Sequence, residues 1–249
     1  DEYVYFFRKR FDDSIQENMK KDFIVGIDTA NGATSVVAEK VFKVLGIPYK
    51  IINNHPDGIN INENCGSTHL EGLKKFVTEN KLSLGIAYDG DGDRCLAIDE
   101  KGNEIDGDKL LAIISNNLRK KGKLNKDTIV ATVMSNLGLN KYARDNGLEL
   151  IQTKVGDRYV LEEMLKDGFN LGGEQSGHVI LLDYNPTGDG ILTSLMLIQT
   201  ILEENKKASE LGEMVKLYPQ ILVNAKVNTN KKYDYEKDET IKEAIERLE

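Results

Sequence analysis

The sequence predicts an α/β protein: two tandem copies of a mixed-sheet domain, then a short strand–helix piece at the end of the chain. Three observations carry this. Short apolar runs of strand length alternate with longer helical stretches, the pattern of sheets covered by helices. The alternation then recurs in the same order, as an architectural repeat with slight sequence identity. In each copy one glycine-rich polar loop, residues 89–94 in the first and 173–178 in the second, falls between two apolar runs.

Taken in order, Phe23-Ile-Val-Gly-Ile27 reads as a strand, and 32–45 as a helix stopped by Gly46. The next strand covers 49–52, and Thr68-His69-Leu70-Glu71 has the spacing of a capping box that opens a helix to about Asn80. Strands over 83–88 and 95–98 flank the first polar loop. The second copy is expected as a helix over 108–120, a strand over 128–133, a helix over 137–146, a strand over 150–154 and a helix over 158–166. A strand over 169–171 leads into the second polar loop, and one over 179–182 leaves it. Thr187-Gly188-Asp189 then starts a long apolar helix to about Glu204.

Tyr218-Pro219 marks a boundary, followed by a strand over 221–227, a solvated charged loop over 231–238 and a helix over 238–249. That last piece is too short to bury a core and reads as the opening of a truncated domain. The Tyr- and Phe-rich start, 3–11, is expected as a helix packing on the first copy.

Composition narrows the function classes. With 249 residues, 40% hydrophobic and 30% charged, the chain has an ordinary globular balance. Its net charge of −8 argues against a broad nucleic-acid surface, yet leaves room for a small anionic substrate held by a metal and a few arginines. Two cysteines, Cys65 and Cys95, are too few for a disulfide framework and fit a cytoplasmic location. No apolar run has membrane-spanning length, so neither nucleic acid nor membrane is expected as a partner. The start Asp1-Glu2-Tyr3 is no signal peptide, and without an initiator Met it suggests a fragment.

The most informative stretch is Tyr88-Asp89-Gly90-Asp91-Gly92-Asp93-Arg94. Its two glycines permit a fold tight enough for three carboxylates to converge. Crowded carboxylates repel, and a hard divalent cation such as Mg²⁺ removes that cost while keeping sites for water or a phosphate oxygen. A solvated Asp-Gly hairpin is the plain alternative. A calcium EF-hand would use Asp89, Asp91, Asp93 and Glu100, but Arg94 stands where that motif needs glycine, and strands rather than helices flank the loop.

Asp-Gly-Asp-Gly-Asp-Arg in the first copy, with Gly173-Glu174-Gln175-Ser176-Gly177-His178 in the second, resembles the α-D-phosphohexomutases, most closely their bacterial phosphoglucosamine mutase branch. Supporting stretches are Asp28-Thr-Ala-Asn-Gly-Ala33, Cys65-Gly-Ser-Thr-His69, Thr132-Val-Met-Ser-Asn-Leu-Gly138, Val155-Gly-Asp-Arg-Tyr-Val160 and Thr187-Gly-Asp-Gly-Ile-Leu192. The resemblance implies that 1–105 is the family's second domain with the metal-binding loop, 106–217 its third with the sugar-binding loop, and 218–249 the start of a truncated fourth. It implies interconversion of glucosamine 6-phosphate and glucosamine 1-phosphate through a phosphoserine and a bisphosphorylated sugar, in the service of cell-wall precursor synthesis. The phosphoserine loop and the fourth domain's phosphate-binding loop are not in this sequence, so the chain alone is expected to be inactive. The implied partners are a phosphorylated amino sugar and the family's first and fourth domains.

By the same resemblance, Asp89, Asp91 and Asp93 hold Mg²⁺ and Arg94 contacts phosphate or orients the phosphoserine loop. A structural salt bridge to a neighbouring Asp is the plain reading of Arg94. Glu174 and Ser176 bind sugar hydroxyls. His178 is a candidate substrate contact, with a satisfied structural histidine as the alternative. Gln175 and His178 favour the amino-sugar branch; a phosphoglucomutase or phosphomannomutase, or a catalytically silent metal- or sugar-binding module, are the rival readings. Asp157 and Arg158 sit at a strand-to-helix junction that suits either an anion or a helix cap. His69 reads as structural and Cys95 as a small buried hydrophobe.

Overall fold

Nearly unbroken apolar strands, buried on both faces, organise two mixed sheets in a computed structural model that describes residues 2–221, 226 and 234–247. The first sheet holds β1 (Val25–Asp28), β2 (Tyr49–Ile52), β3 (Leu84–Tyr88), β4 (Cys95–Asp99) and β5 (Glu104–Ile105), in the order β2-β1-β3-β4-β5. β1 runs parallel to β2 and β3, while β4 lies antiparallel to β3 and β5.

The second sheet holds β6 (Thr128–Thr132), β7 (Glu149–Thr153), β8 (Leu171–Gly173), β9 (Val179–Leu181) and β10 (Asn185–Gly188). Its order, β7-β6-β8-β9-β10, and its pairing senses repeat those of the first sheet strand for strand. The expected repeat is therefore a repeat of topology. The loop between β3 and β4 and the loop between β8 and β9 occupy the same slot, each leaving the carboxyl end of a parallel strand.

The helices are α1 (Glu2–Asn18), α2 (Thr34–Val44), α3 (Glu71–Glu79), α4 (Gly107–Lys120), α5 (Leu137–Asp145), α6 (Asp157–Asp167), α7 (Gly190–Glu204), α8 (Ala208–Gly212) and α9 (Glu239–Glu246). α7 is buried from Gly190 through Leu202, as a helix apolar all round must be. Around it one continuous core gathers Phe7, Phe11, Ile27 and Tyr88 from the first copy with Leu111, Leu139 and Leu195 from the second. At about 1.5–3 kcal/mol for each fully buried side chain of this kind, that shared core locks the two sheets together.

The chain divides between Tyr218 and Pro219 into two compact units, the first containing both sheets. In the second unit Asp238 caps α9 by accepting from the backbone N–H groups of Thr240 and Ile241. The expected strand over 221–227 lies, but for its end at Ile221 and Lys226, outside the described residues.

Three local expectations need correction. The capping box at Thr68 does not form: Gly66–Thr68 is a 3-10 turn, and α3 starts at Glu71 after Leu70, without a side-chain cap. α1 packs not only on α2 but along α7 of the second copy, where Gln199 Nε2 donates to Ser14 Oγ (2.7 Å) and Phe11 stacks on Tyr184. The strand into the second loop sits at Leu171–Gly173, two residues later than expected. The short edge strands β5 and β10 and the five-residue α8 carry too little periodicity to be read from sequence.

Candidate active site

The two polar loops meet. Cys95 N–H donates to Gly177 O (3.0 Å), and Arg94 and His178 form an antiparallel bridge that joins the end of one loop to the end of the other. Both loops stand at carboxyl ends of parallel strands, where α/β sheets bind their ligands.

In the first loop, ligand atoms of Asp89, Asp91 and Asp93 all lie within 4.8 Å of one another. Tight backbone contacts hold this geometry. Asp89 Oδ1 accepts from the Arg94 backbone N–H (3.1 Å), and Gly90 O accepts from Ala33 N–H (2.8 Å). Arg94 Nε lies 3.8 Å from both Asp89 Oδ2 and Asp93 Oδ1, close enough for charge attraction but too far for a hydrogen bond. Asp93 Oδ1 is thus buried without a donor, and Arg94 Nε without an acceptor.

Burial, then the neighbouring Asp93, pushes the Asp89 carboxyl up to about 7. Asp93 goes the other way: burial opposes its charge, but Asp89, His178 and Arg94 hold it below the usual carboxylate range. One proton shared between two carboxylates and one orphaned buried oxygen are what a hard cation would replace, so the residues fit a divalent metal.

In the second loop, Glu174 Oε1 accepts from Gly156 N–H (3.1 Å), and the loop is closed by Gly177 N–H on Glu174 O and Glu174 N–H on His178 O. The first turn of α4 supports it from below. Gly107 N–H donates to Gln175 O (2.9 Å), Gln175 Nε2 reaches Asp106 Oδ2 (3.3 Å), and a Cβ on Gly107 would lie 2.0 Å from Glu174 O. Ser176 is exposed and Glu174 half-buried.

A cavity of about 320 Å³ opens between the loops, lined by Arg94, Glu174, Gln175 and Ser176 with Thr132, Met134 and Val155. It is of the size for a small polar ligand. A larger cavity of about 540 Å³ beside α5, lined by Leu137, Lys141, Arg144 and Tyr218 among others, contains none of the expected site residues.

His178 sits behind the loops rather than in the cavity. Its side chain is 4% exposed, Nδ1 lies 3.0 Å from Asp93 Oδ2, and Nε2 accepts from Gly188 N–H (3.2 Å). With Nε2 accepting, Nδ1 carries the hydrogen and donates to Asp93. Asp157 does not cap α6: Gly156 precedes the helix, Asp157 Oδ1 accepts from Arg158 N–H, and Arg158 pairs with Glu162 along the exposed helix face. His69 is exposed, and burial pushes the Cys95 thiol up, as suits a packed hydrophobe. Thr132, Met134, Val155 and the Gly156 amide were missed as site groups. Their signal was present in the Thr132–Gly138 and Val155–Val160 stretches, each at the carboxyl end of a strand.

Among the described residues no helix is long and apolar enough to cross a membrane. Residues 1–102 match the family model described as phosphoglucomutase/phosphomannomutase, alpha/beta/alpha domain II, and 106–218 match that of domain III. The chain is 57% identical over 229 residues to a phosphoglucosamine mutase of Caldicellulosiruptor saccharolyticus, covering 92% of this chain and 51% of that protein. The chain thus spans about half the length of the curated relatives it matches. A crystal structure of a phosphoglucomutase/phosphomannomutase family protein from Burkholderia thailandensis superposes with a TM-score of 0.75 at 23% identity, covering 86% of this chain and 46% of that one. Another, of Aspergillus fumigatus N-acetylphosphoglucosamine mutase in complex with GlcNAc-6P and magnesium, gives 0.67 at 17% identity over 86% of this chain and 50% of that one. At these identities the two structures speak for the fold.

Proposed function

The chain belongs to the phosphoglucomutase/phosphomannomutase family, and we propose from that premise that the whole protein is a cytoplasmic phosphoglucosamine mutase. It interconverts glucosamine 6-phosphate and glucosamine 1-phosphate through a phosphoserine supplied outside this chain and a bisphosphorylated sugar. In this reading 1–105 and 106–217 are its second and third domains, and 218–249 begins the fourth. The observation that carries the reading is the cavity lined jointly by Arg94 of the acidic loop and Glu174, Gln175 and Ser176 of the second loop.

Phosphoryl transfer asks a protein for position and charge compensation. Asp89, Asp91 and Asp93 would hold Mg²⁺, which when bound supplies charge neutralisation to the phosphoryl group. Arg94 is half-exposed at the cavity wall and gives a second positive charge toward phosphate oxygens. Glu174 and Ser176 offer an acceptor and a donor to neighbouring ring hydroxyls, a pairing that tolerates a sugar bound in either orientation. His178, with both ring nitrogens engaged inside the chain, serves as a positioning residue for Asp93 in place of the substrate contact expected of it.

The test is a coupled assay on the full-length protein with Mg²⁺ and a bisphosphate primer, comparing kcat/KM for glucosamine 1-phosphate and glucose 1-phosphate. A strong preference for the amino sugar is the expected result. The Gln175 amide is directed at Asp106, which weakens the case for it as the group that selects the amino sugar. A preference for glucose 1-phosphate would move the assignment to the hexose branch, and no turnover of either would favour a silent binding module.

A further inference from the structure

The stretch Thr187-Gly-Asp-Gly-Ile-Leu192 enters the site as described through the Gly188 N–H on His178, and it also touches the acidic loop directly. Gly190 N–H donates to Gly92 O (2.9 Å), at the turn between Asp91 and Asp93. A Cβ on Gly190 would lie 2.5 Å from Arg94 O, and one on Gly188 would lie 2.6 Å from Asp93 O. One turn further along α7, Ser194 Oγ is 2.8 Å from the Tyr88 hydroxyl, at the root of the same loop. The amino end of α7 is therefore the shelf on which the loop rests, at both root and tip.

Asp189 lies between those two glycines. Its Oδ1 caps α7 by accepting from Leu192 N–H (2.9 Å). The Tyr3 hydroxyl, from the first turn of α1, lies 2.9 Å from Oδ1 and 3.0 Å from Oδ2. Asp189 is only 8% exposed, and burial raises its pKa, so the carboxylate is held there at a cost that a neutral serine cap would not incur. The Tyr3 ring is itself fixed edge-on to Phe7, with centroids 4.7 Å apart.

We propose that Tyr3 and Asp189 form a positioning clasp for the metal site: Tyr3 fixes Asp189, Asp189 fixes the first turn of α7, and that turn sets the spacing of Asp89, Asp91 and Asp93. The clasp lies outside the ligand set and acts on metal affinity through the Gly190–Gly92 hydrogen bond. Small displacements of a support of this kind weaken metal binding by about tenfold or more. This rests on reading the acidic loop as a divalent-metal site.

The experiment measures Mn²⁺ binding to the full-length protein by electron paramagnetic resonance of the free ion, with Mg²⁺ affinity obtained by competition. Wild type is compared with Tyr3→Phe, Asp189→Asn and the exposed control Tyr5→Phe, and thermal unfolding is recorded for each. The expected result is a Kd about tenfold weaker for Tyr3→Phe, a smaller change for Asp189→Asn, which keeps the cap acceptor, and none for Tyr5→Phe. If Tyr3→Phe lowers the unfolding temperature but binds Mn²⁺ as wild type does, the pair is a packing contact only and the clasp is wrong. If wild type itself binds no Mn²⁺, the metal reading falls and the clasp with it. The two failures are told apart by the wild-type titration alone.

Discussion

His178 Nδ1 stands 3.0 Å from Asp93 Oδ2, a hydrogen bond that spans 85 residues of sequence and ties the second copy's loop to the first copy's acidic loop. The ring is held from its other side by Gly188 N–H, so its direction is fixed before any ligand arrives. An imidazole that orients a carboxylate in this way governs the carboxylate's reach toward a cation. Replacing His178 with Ala should therefore lower kcat by about 10- to 100-fold and weaken Mg²⁺ binding, with little change in KM for the sugar phosphate. A rise in KM at unaltered metal affinity would instead make His178 a substrate contact.

The opposed shifts of Asp89 and Asp93 predict a pH dependence for metal binding. With Asp89 pushed up to about 7, a proton occupies the pair below that pH and must leave when a cation binds. Mg²⁺ affinity should climb as pH rises from 6 to about 7.5 and then level off, with proton release detectable by calorimetry in buffers of different ionisation enthalpy. Asp91→Asn removes the exposed ligand while leaving the pair intact, and should cut affinity by about tenfold or more and kcat with it. An affinity flat across that pH range would mean that the loop takes no cation through Asp89.

Gly107 offers a steric test of the second loop. A methyl group there would press on Glu174 O from 2.0 Å, and the obstacle is backbone that cannot swing aside. Gly107→Ala should cost about 1–3 kcal/mol of stability by overpacking. The Glu174 carboxylate should also shift in the cavity, raising KM for the sugar phosphate more than it changes kcat. Wild-type KM in a folded Gly107→Ala protein would show that Glu174 does not position the sugar.

Much of this was legible because the chemistry is local. Asp89 to Arg94 is one loop, and strands such as Leu84–Tyr88 and Cys95–Asp99 are uniform apolar runs bounded by turn residues. What could not be read is what depends on distant partners. Thr68 and Glu71 have capping-box spacing, but Gly66 is drawn to Asp28 Oδ2 through its N–H (3.0 Å), which bends Gly66–Thr68 into a 3-10 turn and delays the helix. The sequence leaves His178 open between a substrate contact and a satisfied structural histidine; its burial arises from the packing of one copy against the other. α1 showed its aromatic face in sequence, yet nothing local says that α7 would share it. The edge strands β5 and β10 are two and four residues long, below the length at which alternation is visible.

Asp108 carries the last prediction. It is fully buried in the first turn of α4, where Oδ2 accepts from Asn136 N–H (2.6 Å) and the Ser135 side chain stands beside the carboxylate. Burial pushes its pKa up to about 6 from the ordinary carboxylate value of 3.8. A carboxyl whose folded pKa is raised binds its proton more tightly in the folded state, so its stabilising contribution is complete below about pH 4 and is lost as pH rises through 6. The shift corresponds to about 3 kcal/mol withdrawn by neutral pH. Asp108→Asn keeps an acceptor for Asn136 and removes the charge. It should match wild type near pH 4 and exceed it by up to about 3 kcal/mol at pH 8 in urea unfolding, where the neighbouring Ser135 Oγ can accept from the new amide. If Asp108→Asn proves less stable at pH 8, the ionised carboxylate is holding the Ser135–Asn136 turn in place, and its buried charge is a support for the cavity wall at Thr132 and Met134.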